Sequence, residues 1–274
     1  MRFGIAIRVM GEGSRPETLL ECARYAEEAG LDDLWVTDHI AIPPDDAEGS
    51  NGRYLDPLTT LGYLAGVTQR IGLGTSVLIL PYRPALPTAK AIATVQELSR
   101  GRLTLGVGIG WMDPEFRALG VDRSQRGAIT DQTLDFIRRC FDAEGDVIEH
   151  NGQQFYFRPN PERPKILVGG SPPHALQRAV RYGDGWIPMS ADPEKLAPAI
   201  EQLHVLAEQA GQPKPEVACM GGLPPEPEKA AAQLRTLAEL GVTRFLTGSR
   251  YGTDTAPLRN AVDGLIAARK AFGD

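Results

Sequence analysis

The chain has 274 residues, of which 42% are hydrophobic, 23% charged and 7% aromatic, a composition typical of a folded globular protein. Its 29 basic and 35 acidic side chains give a net charge of −6 at pH 7, which disfavours partners such as nucleic acid or an anionic membrane surface. The uncharged run at 71–82 is far shorter than the roughly 20 apolar residues that span a bilayer. Because Arg8 also interrupts the first apolar run before a signal peptide could form, we expect a cytoplasmic protein.

Eight short apolar runs alternate with helical patterns along the whole chain. They are hydrophobic throughout instead of alternating with polar residues, as parallel strands covered by helices are. Eight strand–helix units in a chain of this length predict an α/β fold, a (β/α)8 TIM barrel that forms one domain over residues 1–274. The predicted strands are 3–9, 34–37, 71–80, 103–109, 166–168, 186–189, 217–220 and 244–247.

Local signals mark where the helices begin and end. Ser14 and Glu17 have the spacing of a capping box, before a helix that Gly30 should end at about residue 29. Asp56 and Asp192 are each followed by a proline, so both are expected N-caps of further helices. The other helices are predicted at about 84–98, 130–141, 173–182, 228–240 and 257–272.

The interval between the fourth and fifth strands breaks the regular spacing. Residues 111–123 and 145–165 flank a helix there, and they form an excursion from the barrel pattern. Long excursions at the top of a barrel commonly carry specificity, so we expect this one at the ligand site.

Several common functional motifs are missing from the sequence. Cys22, Cys140 and Cys219 are odd in number and far apart, which favours buried core residues over disulfides or a zinc site. The segment GVGIGW at 106–111 has Trp111 where a dinucleotide-binding motif needs glycine. Its glycines either let a flat ligand approach the barrel mouth or allow close packing. We expect no metal.

Polar residues stand where two predicted strands end. Asp38 and His39 follow the second strand, a barrel position that often serves catalysis, and the imidazole of His39 is suited to proton transfer near neutral pH. Alternatively, Asp38 caps a turn and His39 is a rim residue. Thr75, Ser76 and Val77 interrupt the apolar third strand, which indicates a bulge or hydroxyl groups bonded to neighbouring carbonyls.

The segment GGSPPH at 169–174 joins the fifth strand to a predicted helix. The free N–H groups and the dipole at a helix N-terminus favour an anion, and a phosphate fits such a turn. The alternative is an ordinary strand–helix turn with a proline at the helix start.

Taken together, these segments resemble the luciferase-like monooxygenase superfamily, and most closely its branch that depends on the deazaflavin coenzyme F420. The resemblance covers essentially the whole chain in order. It implies a (β/α)8 barrel in which a flavin or deazaflavin ring lies across the C-terminal mouth. The segments that carry it are TDH, GTSVLILPYR, GVGIGWMDPEF, VGGSPPHAL and YGDGWIP.

The resemblance also implies roles for single residues. His39 matches the active-site histidine of the family, and Ser76–Val77 matches a non-proline cis peptide bond in a bulge behind the ring. Glu115 is implied as an acid or a substrate contact, so His39 and Glu115 are the catalytic candidates, while Trp186 is expected to pack beneath the phosphate loop. The implied cofactor-binding residues are His39, Thr75, Ser76, Val77, Gly108, Gly110, Trp111 and, at the phosphate, Gly169, Gly170, Ser171 and His174.

We therefore expect an F420-dependent oxidoreductase that transfers a hydride between the deazaflavin and a small organic substrate. An FMN-dependent monooxygenase is the alternative within the family, and a non-catalytic flavin-binding barrel is the alternative of another class. A sugar-phosphate lyase or isomerase is disfavoured, because no lysine stands at a strand end where it could form a Schiff base at the barrel mouth. Lys165 precedes its strand and should therefore lie at the opposite face.

Two further expectations concern partners. The polyglutamate tail of F420 should prefer a cationic rim, for which Arg53, Arg83 and Arg117 are candidates. The oligomeric state stays open, with a homodimer as the state that family members often adopt.

Overall fold

A closed ring of parallel strands forms the centre of the computed structural model, which describes residues 1–273. Around the ring the order of the strands is β3-β2-β1-β11-β10-β9-β8-β5-β4, and a further pairing of β3 with β5 closes it. The strands are β1 (Arg2–Ala6), β2 (Asp33–Val36), β3 (Gly72–Thr75), β4 (Leu78–Ile79), β5 (Leu103–Gly108), β6 (Val147–His150), β7 (Gln153–Tyr156), β8 (Lys165–Gly169), β9 (Gly185–Ile187), β10 (Glu216–Met220) and β11 (Arg244–Gly248).

Helices cover the outside of this ring. Because β3 and β4 share the third barrel position, the ring has eight positions, and the predicted (β/α)8 barrel is confirmed. The helices are α1 (Pro16–Glu28), α2 (Pro57–Val67), α3 (Ala85–Leu98), α4 (Asp113–Leu119), α5 (Arg126–Asp142), α6 (His174–Tyr182), α7 (Pro193–Gln209), α8 (Pro227–Leu240) and α9 (Ala256–Phe272).

The helix starts show which local signals determine structure. The Asp56 and Asp192 side chains each accept a hydrogen bond from a backbone N–H in the first turn, so both predicted N-caps are confirmed. The predicted capping box at Ser14 is wrong. Arg15 occupies the N-cap position of α1, and the Ser14 hydroxyl instead donates to the carbonyl of Gly11 within a short 3-10 helix.

The excursion after the fourth barrel position is divided between the two ends of the barrel. Its first part, with α4, lies at the C-terminal mouth, but its second part folds into the antiparallel hairpin β6–β7 beyond the end of α5. The Gln96 side chain donates to the Glu162 carbonyl and accepts from the N–H of Leu103, the first residue of β5. Residues after the hairpin therefore lie at the end opposite the mouth, which corrects the expectation that the whole excursion lies at the ligand site.

Buried charges occupy the end of the barrel where the strands begin. Arg244 and Asp33 are each 3% exposed and pair at 2.7 Å, and Arg2 pairs with the other oxygen of Asp33 at 2.7 Å. Lys165 pairs with Glu216 at the same end, so the prediction that Lys165 faces away from the mouth is confirmed.

The three cysteines are free and fully buried, as expected of core residues. Within residues 1–273, no three His, Cys, Asp or Glu side chains are grouped as a metal site would need. In the same part of the chain, no helix combines the length and the apolar character needed to cross a bilayer.

Candidate active site

His39 lies just beyond β2, at the C-terminal mouth of the barrel, and its side chain is 19% exposed. Its Nδ1 is 2.9 Å from Oε2 of Glu115, a residue of α4, the short helix that follows β5. The ring also makes edge-on contacts with Tyr54 and Trp111, at centroid distances of 5.0 and 6.3 Å. No group within residues 1–273 hydrogen-bonds Nε2, so this nitrogen is available for chemistry.

The carboxylate of Glu115 is completely enclosed and fully hydrogen-bonded. Oε1 accepts the backbone N–H groups of Ile40 at 2.6 Å and Ala41 at 3.0 Å, and Oε2 accepts the Tyr82 hydroxyl at 2.8 Å besides His39. Burial raises the pKa of Glu115, but the hydrogen bonds from His39, the two N–H groups and Tyr82 outweigh it and hold the pKa at about 2. Glu115 is therefore ionised at neutral pH.

These contacts correct the expected role of Glu115. A fully buried, ionised carboxylate with four donors is neither a proton donor at neutral pH nor a substrate contact. An ionised carboxylate only accepts hydrogen bonds, so Nδ1 of His39 must carry the proton. Glu115 thus fixes the tautomer and orientation of the imidazole and acts through it, as a positioning residue.

Tyr82 completes this cluster and is absent from the site residues predicted from the sequence. It lies in a short 3-10 helix after β4, is 5% exposed, and packs edge-on against Phe116 at 5.1 Å. Burial and the hydrogen bond to Glu115 both raise its pKa, so the phenol remains a donor. Its position at the end of a barrel strand, in LPYR, is the signal that could have identified it.

Asp38 has a structural role next to this cluster. It accepts the N–H of Ile79 at 2.8 Å and both terminal nitrogens of Arg83, at 2.6 and 2.9 Å, and Arg83 also reaches Asp56 at 2.8 Å. These bonds connect the end of β2 with β4, which supports the alternative that Asp38 organises a turn. Because Arg83 is 14% exposed and paired twice, it is not a free cation for the tail of F420.

The other two candidate rim cations are also engaged. Arg53 donates to the hydroxyl and the carbonyl of Ser14, at 2.9 and 3.2 Å, and Arg117 pairs with Asp113 one turn earlier in α4. Each of the three guanidinium groups therefore has a partner within the chain, and the cationic rim of Arg53, Arg83 and Arg117 stays a prediction.

The third barrel strand breaks at Ser76–Val77, where the peptide bond is cis, as the resemblance implies. Thr75 is fully buried and its hydroxyl donates to the Gly106 carbonyl at 2.6 Å, so the expected cofactor contact of Thr75 is wrong. A Cβ added to Gly108 would lie 2.5 Å from the Val77 side chain. The glycines of β5 therefore make room for this break, which supports the packing alternative.

Gly169 and Gly170 form the turn that leads from β8 to α6. A Cβ on Gly169 would lie 2.8 Å from Val77, so this glycine also packs against the strand break. Gly170 has φ +129°, its N–H donates to the Ile187 carbonyl, and its carbonyl accepts the indole N–H of Trp186 at 2.8 Å. Trp186 is 2% exposed, so the prediction that it packs beneath this turn is confirmed.

The exposed part of that turn begins at Ser171. The N–H of Gly170 is used internally, and the two prolines that follow Ser171 have no N–H. Ser171 and His174 are both exposed, and His174 is the first residue of α6. The hydroxyl and N–H of Ser171 and the N–H of His174 are therefore the groups there that a phosphate could use.

Large apolar side chains surround the mouth without covering one another. Ile40 after β2, Trp111 after β5 and Met189 after β9 are 46%, 63% and 76% exposed. Gly110, with φ +74°, turns the chain just before Trp111, where a Cβ would lie 2.8 Å from Ile79. Three exposed apolar groups around an available imidazole nitrogen fit a flat, partly apolar ring, which would cover them.

The barrel carries a strand-end imidazole and exposed apolar side chains at its C-terminal mouth, the face where enzymes of the TIM-barrel class have their active sites. The family model described as luciferase-like monooxygenase matches residues 1–260, and the chain therefore belongs to that family of oxidoreductases.

Two relatives illustrate the similarity in sequence. An uncharacterized protein of Mycobacterium tuberculosis is 31% identical over 269 residues, which cover 89% of this chain and 90% of the relative. A protein of Amycolatopsis mediterranei named F420-dependent glucose-6-phosphate dehydrogenase is 33% identical over 220 residues, 75% of this chain and 64% of the relative.

Two solved structures share the fold. An F420-dependent secondary alcohol dehydrogenase in complex with an F420–acetone adduct has a TM-score of 0.77 at 19% identity, over 100% of this chain and 99% of the other. The oxygenating constituent of 3,6-diketocamphane monooxygenase of Pseudomonas putida, in complex with FMN, has a TM-score of 0.78 at 15% identity, over 100% and 98%.

Proposed function

We propose that the protein is an F420-dependent oxidoreductase that transfers a hydride between the deazaflavin and a small organic substrate. The observation that carries the proposal is the His39–Glu115 pair, because it holds an imidazole at the barrel mouth in one tautomer with Nε2 available. The 33% identity to the relative named F420-dependent glucose-6-phosphate dehydrogenase supports F420 over FMN.

The chain would bind the cofactor through two regions of the mouth. Ser76 and Val77 would support the ring from behind, and Ile40, Trp111 and Met189 would contact its apolar parts. Ser171 and His174, at the start of α6, would hold the phosphate, where the helix dipole favours an anion.

The residues of the chain would move the proton that accompanies the hydride. When bound, the deazaflavin accepts or donates the hydride. If a substrate hydroxyl is oxidised to a carbonyl, Nε2 of His39 accepts the hydroxyl proton as the hydride leaves the adjacent carbon, and the reverse reaction returns it. Glu115 stabilises the resulting imidazolium through the Nδ1 proton, which stays on the ring.

The experiment that tests the proposal is a titration of the protein with F420 and with FMN, followed by fluorescence. We expect F420 to bind at least about tenfold more tightly, and tighter binding of FMN would overturn the assignment in favour of an FMN-dependent monooxygenase.

A pair of variants tests whether the cofactor lies at the mouth. Met189→Asp should weaken F420 binding about tenfold, because a charge replaces an apolar contact, whereas Val205→Asp on α7 is the matched control. Val205 is 45% exposed and lies away from the strand ends, so its variant should bind F420 as the wild type does. Equal affinities of the two variants would contradict this placement.

A further inference from the structure

Two arginines follow the neighbouring strands β1 and β11 at the C-terminal mouth. In the parallel register of these strands Ala6 is level with Gly248, and two residues further along each chain are Arg8 and Arg250. The backbone N–H of Arg8 donates at 2.7 Å to the hydroxyl of Tyr251, which joins the two segments beyond the strand ends. Both arginines therefore belong to the same part of the rim.

The alternation of side chains along β1 directs Arg8 towards the inside of the mouth. Ile5 and Ile7 pack in the large core between strands and helices, whereas Ala6 packs against the cluster inside the barrel that contains Trp35. The N–H of Ile7 still donates to the Trp35 carbonyl at 2.9 Å, so the extended pairing continues to that residue. Arg8 therefore follows in phase with Ala6.

No carboxylate within residues 1–273 pairs with either arginine. Nη2 of Arg8 donates to the Gly49 carbonyl at 3.0 Å, but its Nε is buried without an acceptor. Arg250 is exposed, and its side chain takes part in no hydrogen bond or ion pair with the described residues. A buried guanidinium N–H without an acceptor is costly, and a bound oxyanion would satisfy it.

Arg8 lies close to the proposed catalytic imidazole. The segment after Arg8 pairs with the segment that carries Tyr54: the N–H of Leu55 donates to the Val9 carbonyl at 2.9 Å, and Met10 and Tyr54 form an antiparallel bridge. The positive charge of Arg8 also opposes the increase that burial causes in the pKa of Tyr54. The ring of Tyr54 in turn contacts His39 edge-on at 5.0 Å. Arg8, Tyr54 and His39 thus follow one another along the inner side of the mouth.

We propose that Arg8 and Arg250 form an oxyanion site on the β1–β11 side of the mouth, which binds a carboxylate or phosphate group. The inference rests on the mouth being the ligand site proposed above. The guanidinium fork matches both groups, and two sources can supply them: an anionic substrate and the glutamate carboxylates of the F420 tail. The two arginines make this part of the rim locally positive, although the whole chain carries a net charge of −6.

The first test measures the affinity of inorganic phosphate for the protein by phosphorus NMR line broadening. Arg8→Gln should weaken phosphate binding about tenfold or more, and Arg250→Gln at least about threefold, because each removes a charged donor. Arg24→Gln is the matched control, since Arg24 is an exposed arginine on α1, and it should change the affinity less than twofold.

Two outcomes of this test would overturn the proposal. One is an unchanged phosphate affinity in both Arg8→Gln and Arg250→Gln. The other is a loss of phosphate affinity in Arg24→Gln as large as the loss in these two variants. If Arg8→Gln fails to fold, Arg250→Gln carries the test, because the described residues make no bond with its side chain.

The second test separates the two sources of the anion, with F420 and a deazaflavin that keeps the phosphate but lacks the glutamates. If Arg8→Gln loses affinity for F420 but keeps its affinity for the deazaflavin without glutamates, the F420 tail is the source of the anion. If Arg8→Gln keeps its affinity for both deazaflavins but loses phosphate binding, an anionic substrate is the source. An equal loss for both deazaflavins overturns the proposal, because Arg8 would then act on the part that the two share.

The same measurements distinguish this site from the proposed function. If phosphate binding depends on Arg8 but F420 does not bind the wild type, the F420 assignment fails and the oxyanion site stands. If the wild type binds F420 and neither arginine variant changes the phosphate affinity, only the proposal of the oxyanion site fails.

Discussion

Replacing Glu115 by glutamine removes the charge that organises the cluster behind His39. Each carboxylate oxygen accepts two hydrogen bonds, one oxygen from the N–H groups of Ile40 and Ala41 and the other from His39 and Tyr82. A glutamine keeps one acceptor oxygen, so two of these four donors would face an amide N–H2 group. The shape of the side chain stays nearly the same, which isolates the effect of the charge.

The magnitude follows from the pKa of Glu115, which is about 2 in place of the ordinary 4.5. At 1.36 kcal/mol per pH unit, this difference contributes about 3 kcal/mol to the free energy of unfolding at pH 7. Because the pKa is lower in the folded protein, the contribution is complete above the unfolded value and is lost as the pH falls from about 4.5 to about 2. At pH 3, about 1 kcal/mol remains.

The assay is urea unfolding of the wild type and of Glu115→Gln at pH 7 and at pH 3. We expect the free energy of unfolding of the variant to be lower than that of the wild type by about 3 kcal/mol or more at pH 7. At pH 3 this difference between the two proteins, the stability gap, should be smaller by about 2 kcal/mol. Glu201→Gln, at an exposed position on α7, is the matched control and should show no such gap. A gap below about 1 kcal/mol at pH 7, or one that is independent of pH, would refute this reasoning.

Three further substitutions test other parts of the structure. His39→Ala should lower turnover of the F420-saturated enzyme by about 10²- to 10⁴-fold and leave F420 affinity within a few-fold; reduced affinity or melting temperature with near-normal turnover would contradict proton transfer. Gly106→Ala, whose Cβ would lie 1.9 Å from a backbone carbonyl oxygen, should cost about 3 kcal/mol or more in urea unfolding. Gly62→Ala in α2, with no atom within 4 Å, should stabilise by up to about 1 kcal/mol, and equal effects of the two glycine variants would contradict the packing argument. Arg244→Met should lower the free energy of unfolding by about 2 kcal/mol or more, because the buried Asp33 carboxylate keeps Arg2 but loses Arg244 as a partner, and calorimetry showing an unchanged melting temperature would disprove that.

The barrel could be predicted because its signals are local. Each strand of a covered parallel sheet is buried on both faces, so its apolar character is continuous in the sequence. The N-caps Asp56 and Asp192 bond to N–H groups only two or three residues away, and such contacts depend little on the rest of the fold. Ser14 has the same local pattern, but Arg53, 39 residues later, donates to its hydroxyl.

The hairpin β6–β7 was missed although the sequence contains a signal for it. Asn151-Gly152 separates two four-residue strands, and both residues have positive φ, 51° and 74°. Asn-Gly favours the two-residue hairpin turn that requires positive φ at both positions. Helical and barrel patterns alone do not reveal such a hairpin, because its signal lies in the two turn residues.

The site was predicted in part, because its decisive contacts join distant segments. His39 could be identified from its place at a strand end, but Glu115 is 76 residues away and Tyr82 lies 33 residues before Glu115. Whether Glu115 reaches substrate or supports the imidazole depends on its burial, which a single motif does not reveal. For the same reason, Arg83 has the appearance of a free cation until its two carboxylate partners are seen.

The position of the β6–β7 hairpin makes it a point of attachment for engineering. Its turn at Asn151-Gly152 is exposed, and the residues after it pack at the barrel end opposite the mouth. Exposed turns tolerate inserted segments when their backbone is not bonded within the core. A peptide tag or a small reporter domain inserted between residues 151 and 152 would therefore leave the ligand-facing loops untouched, and the protein could be immobilised with its mouth open to solution.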